Sequence, residues 1–344
     1  MGRDERMPAM DADTDLGTAA RPWLLAALGA AAGLGALAAA NRIIAMSAGE
    51  LYNVLEGDEG RYAWEHGDIA YTVRGRGAPL VLLHGIYAGA SSFEYRRVFD
   101  ALSQTHRVYA PDLLGFGLSA RPPVVYTPEL YIQLMLDFAR QVMGAADNPV
   151  SVVASSLAAS YAIRAAAEQP RLFERLVLIE PVGIDMDGSI RPTPIAPLMR
   201  RLLRTPLIGQ GIYNVASSRR SMGYFLRHAV YADRAAVTSG LVDYYYTAAH
   251  QDGARYAPAS FISGALDTPV AADYAELRQL ILLVWGKDSK VAPLDQAKAF
   301  RQSNPRAEIR VLDCGALPQV ERPDEFVSEV TTWLRAGTRP RANG

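Results

Sequence analysis

Apolar and polar positions divide the chain into stretches of different kind. Residues 1–21 are polar and short of core-forming side chains, which predicts a flexible N-terminal tail. From Pro22 to Ala40, "PWLLAALGAAAGLGALAAA", 19 residues pass without a charge, close to the ~20 that a bilayer-crossing helix needs. Asn41 and Arg42 close the run, and Ile43 to Met46 extend it past an arginine able to snorkel. The pattern predicts a single transmembrane anchor over 22–46. Two other readings stay open: a secretory signal cleaved after the small residues Ala38–Ala40, or a buried helix, since alanine and glycine make the segment only weakly hydrophobic. Residues 47–60 read as a linker.

Beyond residue 60 the period changes. "YAWEHG" and "DIAYTVRG" alternate as two short strands around a turn at Gly67-Asp68. Compact apolar runs then alternate with helical stretches. "PLVLLHG" precedes "SSFEYRRVFDALSQ", "RVYAPD" precedes "PELYIQLMLDFARQVM", and "VSVVAS" precedes "SLAASYAIRAAAEQP" and the further run "RLVLIEP". After a gap the alternation resumes with "LILLVWG", a helix near Leu294 to Gln302, "EIRVLD" and "PDEFVSEVTTWLRAG". This order predicts an α/β class, a mostly parallel sheet with helices on both faces, built from 61–183 and 278–338. Residues 184–277 between them are helical in tone and rich in arginine, tyrosine and proline, and predict an inserted helical lid; 339–344 form a C-terminal tail.

Charge narrows the classes of partner. Lys and Arg number 35 against 36 Asp and Glu, so no basic excess exists to neutralise phosphates and nucleic acid is not an expected partner. No metal-ligand spacing or phosphate-cradling loop occurs, so no cofactor is expected. The single cysteine, Cys314, excludes an internal disulfide framework and reads as a small packed residue. Arg3, Arg6 and Arg21 precede the apolar run against Arg42 and Arg61 after it, which tilts the main domain towards the extracytoplasmic side. Gly29 and Gly33 make a GxxxG spacing that would let two such helices approach in a homo-oligomer.

In open α/β sheets ligands bind beyond the carboxyl ends of the strands, so the residues following each apolar run carry the chemistry. After "VSVVA" comes Ala154-Ser155-Ser156-Leu157-Ala158, a small-x-Ser-x-small pentapeptide. It suits a strand-to-helix turn so tight that only small side chains fit two residues either side of an exposed serine. "HGIY", His84 to Tyr87, and "VWGKDSKVAP", with Asp288, follow two other runs. The glycine-rich "APDLLGFGLS", Ala110 to Ser119, reads as a structural turn.

Together and in this order, these motifs resemble the α/β-hydrolase superfamily, particularly lid-bearing bacterial members of the esterase, dehalogenase and carbon–carbon hydrolase kind, over about Tyr62 to Leu334. The resemblance implies an α/β-hydrolase fold with an eight-stranded sheet. It implies Ser156 as nucleophile, Asp288 as the acid of the triad, and the backbone N–H groups of Ile86 and Leu157 as an oxyanion hole. The family histidine should stand in a segment like Gly-His-x-Pro-x-x-Glu-x-Pro. Here that segment is Gly315-Ala316-Leu317-Pro318-Gln319-Val320-Glu321-Arg322-Pro323, and the histidine position holds Ala316. No histidine follows His250 in the chain. The loss is large, because the triad histidine both deprotonates the serine and protonates the leaving group; removing it costs ~10⁶ in turnover in a serine protease.

Five histidines exist: His66, His84, His106, His228 and His250. His84 belongs to the oxyanion turn, and His66 and His106 read as surface residues. His228 and His250, in the expected lid, are the candidate substitute bases. The tyrosines of "DYYYTAAH" cannot all face one way on a helix, and "PLMRRLLRTPLIG" reads as one amphipathic basic helix. Two functions follow. One is a membrane-anchored serine hydrolase of small apolar esters or acyl compounds, using Ser156 with an unconventional base. The other is a non-catalytic protein that holds an apolar ligand or a protein partner in the pocket under the lid.

Overall fold

The computed structural model describes residues 21–184 and 195–336. The expected tails, apart from Arg21, lie outside these residues, as do Arg3 and Arg6.

Eight strands form one sheet: β1 (Asp58–Trp64), β2 (Gly67–Arg74), β3 (Pro79–Leu83), β4 (Arg107–Pro111), β5 (Val150–Ser155), β6 (Phe173–Ile179), β7 (Leu280–Gly286) and β8 (Glu308–Leu312). Their spatial order is β1-β2-β4-β3-β5-β6-β7-β8. β1 with β2 and β2 with β4 are antiparallel, and every other pair is parallel. The fold is the one the resemblance implies. The apolar runs fill the middle of the sheet, and all residues of β3 and β5 are buried, as expected where helices cover both faces.

The period of two sorts side chains between those faces. Val81, Leu83, Val152, Ala154, Leu176, Leu178, Leu283 and Trp285 point into one core, packed beneath α3 (Pro128–Gln141), α4 (Leu157–Glu168) and α11 (Leu294–Ser303). Leu80, Leu82, Val153, Val177, Ile179, Leu282 and Val284 point into the other, beneath α2 (Phe99–Ser103) and α13 (Pro323–Arg335).

Between β6 and β7 lies a helical insert: α5 (Ala196–Arg204), α6 (Ile208–Ala216), α7 (Arg219–Phe225), α8 (Ser239–Ala249), α9 (Tyr256–Ile262) and α10 (Ala271–Glu276). Tyr213, Met222, Leu226 and Tyr245 from the insert build a third core, shared with Ala316 and Leu317 of the segment that leads into α12 (Pro318–Glu321).

Several local expectations are corrected. The first turn falls at Glu65-His66, not Gly67-Asp68. The stretch from Ser91 to Gln104 is not one helix but a 3₁₀ turn over Ser92–Tyr95 followed by α2. This tight winding carries Glu94 and Tyr95 inward, where both are buried. The basic stretch is two helices, α5 and α6, because Pro206 has no N–H to continue a helix and Thr205 before it is extended, with φ −66° and ψ 141°. His106, expected at the surface, is buried and pairs with the Thr105 hydroxyl; desolvation lowers its pKa from the usual histidine range.

The N-terminal helix α1 (Arg21–Ser47) runs 27 residues, about 40 Å at the ordinary rise. Its segment Gly29–Ser47 has mean hydropathy 1.3, and none of its residues is fully buried in the protein. Among the described residues α1 is the one helix long and apolar enough to cross a membrane by length and composition. Gly29 and Gly33 face open space. Its last turns dock on the insert. Leu37 lies against Gly211, the Asn41 side chain donates to the Leu207 carbonyl at 3.0 Å, and Asn214 donates to Asn41 at 3.0 Å. Ile44 and Ala48 continue that face into the third core.

The expected linker is also packed. Thr247 donates to the Ala48 carbonyl at 2.8 Å, Gln251 to the Gly49 carbonyl at 3.1 Å, and Asn53 to the Thr72 hydroxyl at 2.9 Å.

β7 ends at Gly286, where an added Cβ would overlap the carbonyl oxygens of Cys314 and Gly315. The backbone approach that brings the Ala316 segment to the sheet therefore needs glycine here. Gly286→Ala is expected to destabilise the fold by about 1–3 kcal/mol, read as a lower midpoint in urea unfolding.

Candidate active site

Ser156 joins β5 to α4 with φ 52° and ψ −125°, a conformation costing an L-residue about 1–3 kcal/mol. Its N–H donates to the Ile179 carbonyl of β6 at 2.8 Å. Ala154 and Ala158, two residues either side, are completely buried. Alanine thus meets the steric demand of the turn. Leu157 is the first residue of α4, so its N–H has no acceptor within the helix.

Ser156 opens into a cavity of about 290 Å³, walled by Ile86 and Tyr87 from the turn after β3, by Met222, Phe225, Tyr245, Phe261 and Ile262 from the insert, and by Ala316 and Leu317. The wall is largely apolar, and no lysine or arginine is among the described residues that line it.

Buried polar contacts hold the turn after β3. His84 is fully buried. Its Nε2 accepts from the Leu113 N–H at 3.0 Å, which leaves Nδ1–H to donate to the Gly85 carbonyl at 2.8 Å. Both nitrogens are occupied, so His84 supports the loop and is not a free base. Glu94 is the hub. One oxygen accepts from the Gly85 N–H at 3.0 Å and the Tyr87 hydroxyl at 3.1 Å, and the other from Gln319 at 2.7 Å. It stitches the Ile86 turn to the segment that carries Ala316.

That segment is fixed on its other side by Glu321, which accepts from the N–H groups of Gly315 at 2.8 Å and Ala232 at 2.9 Å. The Ala316 N–H donates to the Val230 carbonyl at 2.8 Å. Cys314 is buried, and desolvation pushes its thiol pKa up, away from a reactive thiolate.

One wall residue was missed by the sequence reading. Glu180, at the end of β6, is buried and lines the cavity with Ser156. Its carboxylate accepts from the Gly286 N–H at 3.0 Å and from the Ser289 hydroxyl at 2.7 Å. Burial nevertheless raises its pKa to about 8, with the nearby charge of Glu321 adding to the rise and the two hydrogen bonds opposing it.

The other candidates stand apart from the cavity wall. Asp288 is exposed and lines a separate polar cavity with Arg96, Arg97, Asp313 and Arg322. The loop after β7 turns Ser289 inward instead. His228 is exposed, stacked on Tyr224 at 4.1 Å, with Nδ1 held at 2.8 Å from the Tyr224 carbonyl. His250 is buried behind the wall, stacked on Tyr246 at 4.0 Å, with Nε2 3.4 Å from the hydroxyl of Ser217, which does line the cavity. Desolvation lowers the pKa of His250. His66 is exposed at the β1–β2 turn. The three consecutive tyrosines diverge: Tyr244 stacks on Phe93, Tyr245 faces the cavity and Tyr246 packs on His250. Among the described residues no group of three or more His, Cys, Asp or Glu side chains could hold a metal ion.

Residues 80–329 match the family model described as the alpha/beta hydrolase family. The 2-hydroxy-6-oxo-6-(2'-aminophenyl)hexa-2,4-dienoic acid hydrolase of Metapseudomonas resinovorans is 26% identical over 274 residues, covering 77% of this chain and 86% of that protein. The 2-hydroxy-6-oxo-2,4-heptadienoate hydrolase of Pseudomonas putida is 27% identical over 275 residues, covering 76% of this chain and 91% of that protein. The crystal structure of a membrane phospholipase A, a bacterial virulence factor, has the same fold with a TM-score of 0.64 at 22% identity, over 90% of this chain and 96% of its own.

The raised pKa of Glu180 has a thermodynamic counterpart. The folded state binds its proton more tightly than the unfolded chain, so the associated stability is complete below the ordinary value of 4.5 and is lost as pH rises through about 8. Glu180→Gln is expected to flatten the fall in melting temperature between pH 5 and pH 8.5. A shallower slope persists from Glu321, whose pKa is also raised by burial.

Proposed function

The chain belongs to the alpha/beta hydrolase family, and from that premise we propose that it is a membrane-anchored serine hydrolase of small apolar ester or related acyl substrates, with Ser156 as nucleophile. One observation carries the reading: Ser156 is held in a strained backbone conformation at the wall of an apolar cavity. Such strain persists only where the surrounding structure over-determines it, and it clusters at reactive sites. In this reading the N–H groups of Ile86 and Leu157 receive the oxyanion that forms as Ser156 attacks a carbonyl.

The substrate class follows from the wall. The curated relatives are named for hydrolysis of hydroxy-oxo-dienoic acids, which are carboxylates. A carboxylate entering this cavity would meet no lysine or arginine among the described lining residues and would lie with Glu180. A neutral apolar acyl group fits better.

The membrane part of the reading is supported by the helix that precedes the domain. Docking of Leu37, Asn41, Ile44 and Ala48 on the insert makes the end of α1 part of the fold, which favours a retained anchor over a cleaved signal. Beside that contact α6 exposes Ile208, Ile212 and Val215, and α5 exposes Leu198. Phe225, Phe261 and Ile262, which line the cavity, are partly exposed as well. An apolar surface around the anchor and an apolar cavity wall suit a substrate that partitions into lipid. The insert then acts as a lid.

Ala316 favours a second reading, a non-catalytic protein that holds an apolar ligand in the same cavity. Hydrolysis of p-nitrophenyl esters of increasing chain length by the full chain in detergent separates the two. The hydrolase reading expects turnover that Ser156→Ala reduces at least ~10³-fold, with preference for uncharged acyl chains. Equal near-background rates for wild type and Ser156→Ala would sink it and leave the binding protein.

A further inference from the structure

Among the described residues only two that are not glycine have positive φ: Ser156 at 52° and Glu180 at 45°. They are neighbours. In the parallel β5–β6 pair Ala154 stands beside Leu178 and Ser155 beside Ile179, so the next step along both strands sets Ser156 beside Glu180. Parallel strands lie about 4.8 Å apart, and both residues line one cavity. Strain at a single strand end could serve packing alone. Strain at two adjacent ends, each turning a reactive side chain towards the same space, is the arrangement of a chemical pair.

The carboxyl group is held in place. Its oxygens take one hydrogen bond each, from the Gly286 N–H and the Ser289 hydroxyl, and Ser289 is itself fixed by the Ala292 N–H at 3.2 Å. Each carboxylate oxygen keeps a further lone pair. In the same wall Ala316 presents only a methyl group where the family segment would carry an imidazole, and the cavity of about 290 Å³ that Ser156, Glu180 and Ala316 share is large enough to hold a water.

We infer that Glu180 is the acid–base group of the Ser156 site, exchanging the serine proton through one water in the cavity that both residues line. The inference rests on the hydrolase reading and supplies the base that reading lacks. As Ser156 Oγ forms its bond to the acyl carbon, its proton passes to the Glu180 carboxylate and the carbonyl electrons move onto the oxygen. Collapse of that intermediate breaks the bond to the leaving group, which takes the proton from Glu180. A water then attacks the acyl-serine and gives its proton to Glu180, and Ser156 leaves with that proton while the acid departs.

Only the ionised carboxylate accepts a proton, and a group near pKa 8 is a far better acceptor than an ordinary carboxylate. The titratable groups facing it are Glu321 and Cys314, and neither lines the cavity.

The test is the rate at which a fluorophosphonate probe labels Ser156 in the full chain, a single stoichiometric event read by mass spectrometry from pH 5 to pH 9.5. Wild type is expected to label faster as pH rises, with a midpoint near 8. Glu180→Gln keeps the volume and can keep both hydrogen bonds, and it is expected to slow labelling at least ~10²-fold and to abolish the midpoint. Ser289→Ala removes a hydrogen bond that favours the carboxylate, so its midpoint should move to higher pH, a shift that a purely structural role for Glu180 would not produce. Thermal melts at pH 6 identify any variant that fails to fold. Labelling of folded Glu180→Gln at the wild-type rate and with the wild-type profile would overturn the role of Glu180 alone. Absence of wild-type labelling at every pH would overturn this inference together with the hydrolase reading beneath it.

Discussion

Adjacent parallel strands must run in register to their carboxyl ends, and the site depends on that constraint continuing one residue past the ladder. The Ser156 N–H closes on the Ile179 carbonyl, and the Glu180 N–H closes on the Val284 carbonyl of β7 at 3.0 Å. These two bonds carry the pairing of β5, β6 and β7 into the residues where the backbone turns away. Because each turn begins from a fixed strand end, the side chains it delivers have little freedom of placement. The strain at both positions is sustained by the strands behind them, β5 buried throughout and β6 buried from Arg175 to Ile179.

Around that edge, buried polar groups do work that apolar packing cannot. Glu94, Glu321 and Glu180 each bind backbone N–H groups from a different loop, and together they fix the Ile86 turn, the Ala316 segment and the end of β7 relative to one another. Burying a carboxylate costs several kcal/mol unless it is well hydrogen-bonded, so such contacts define one arrangement of the loops sharply. The insert meets the edge through aromatic and aliphatic side chains, pinned by the bonds from the Ala316 N–H to Val230 and from the Ala232 N–H to Glu321.

Much of this was legible in the amino-acid order. The apolar runs ending in "HG", "ASS" and "WG" located β3, β5 and β7, because central strands of a parallel sheet must be apolar on both faces. The alanines flanking Ser156 marked the tight turn, and both are completely buried there. Glu180 was not legible: an acid after a strand ordinarily meets solvent, and only the covering insert and the register with Ser156 reveal its burial. Asp288 shows the complementary limit. Its place after a buried strand was clear, but whether the loop turns residue 288 or residue 289 inward depends on φ and ψ that no periodicity encodes. The packed stretch after α1 was hidden for a similar reason, since it depends on contacts with elements far away in sequence.

The seam between α1 and the insert determines how the protein can move. A flexible linker of a dozen residues would let a domain wander over roughly 20 Å around its attachment point. Here the helix continues unbroken to Ser47 and its final turns are bonded to α6, with Ala48 bonded to α8 and Gly49 to Gln251, two residues past the end of α8. The connection is a stalk, not a leash. The cavity beneath the insert is consequently held at one heading relative to the helix axis.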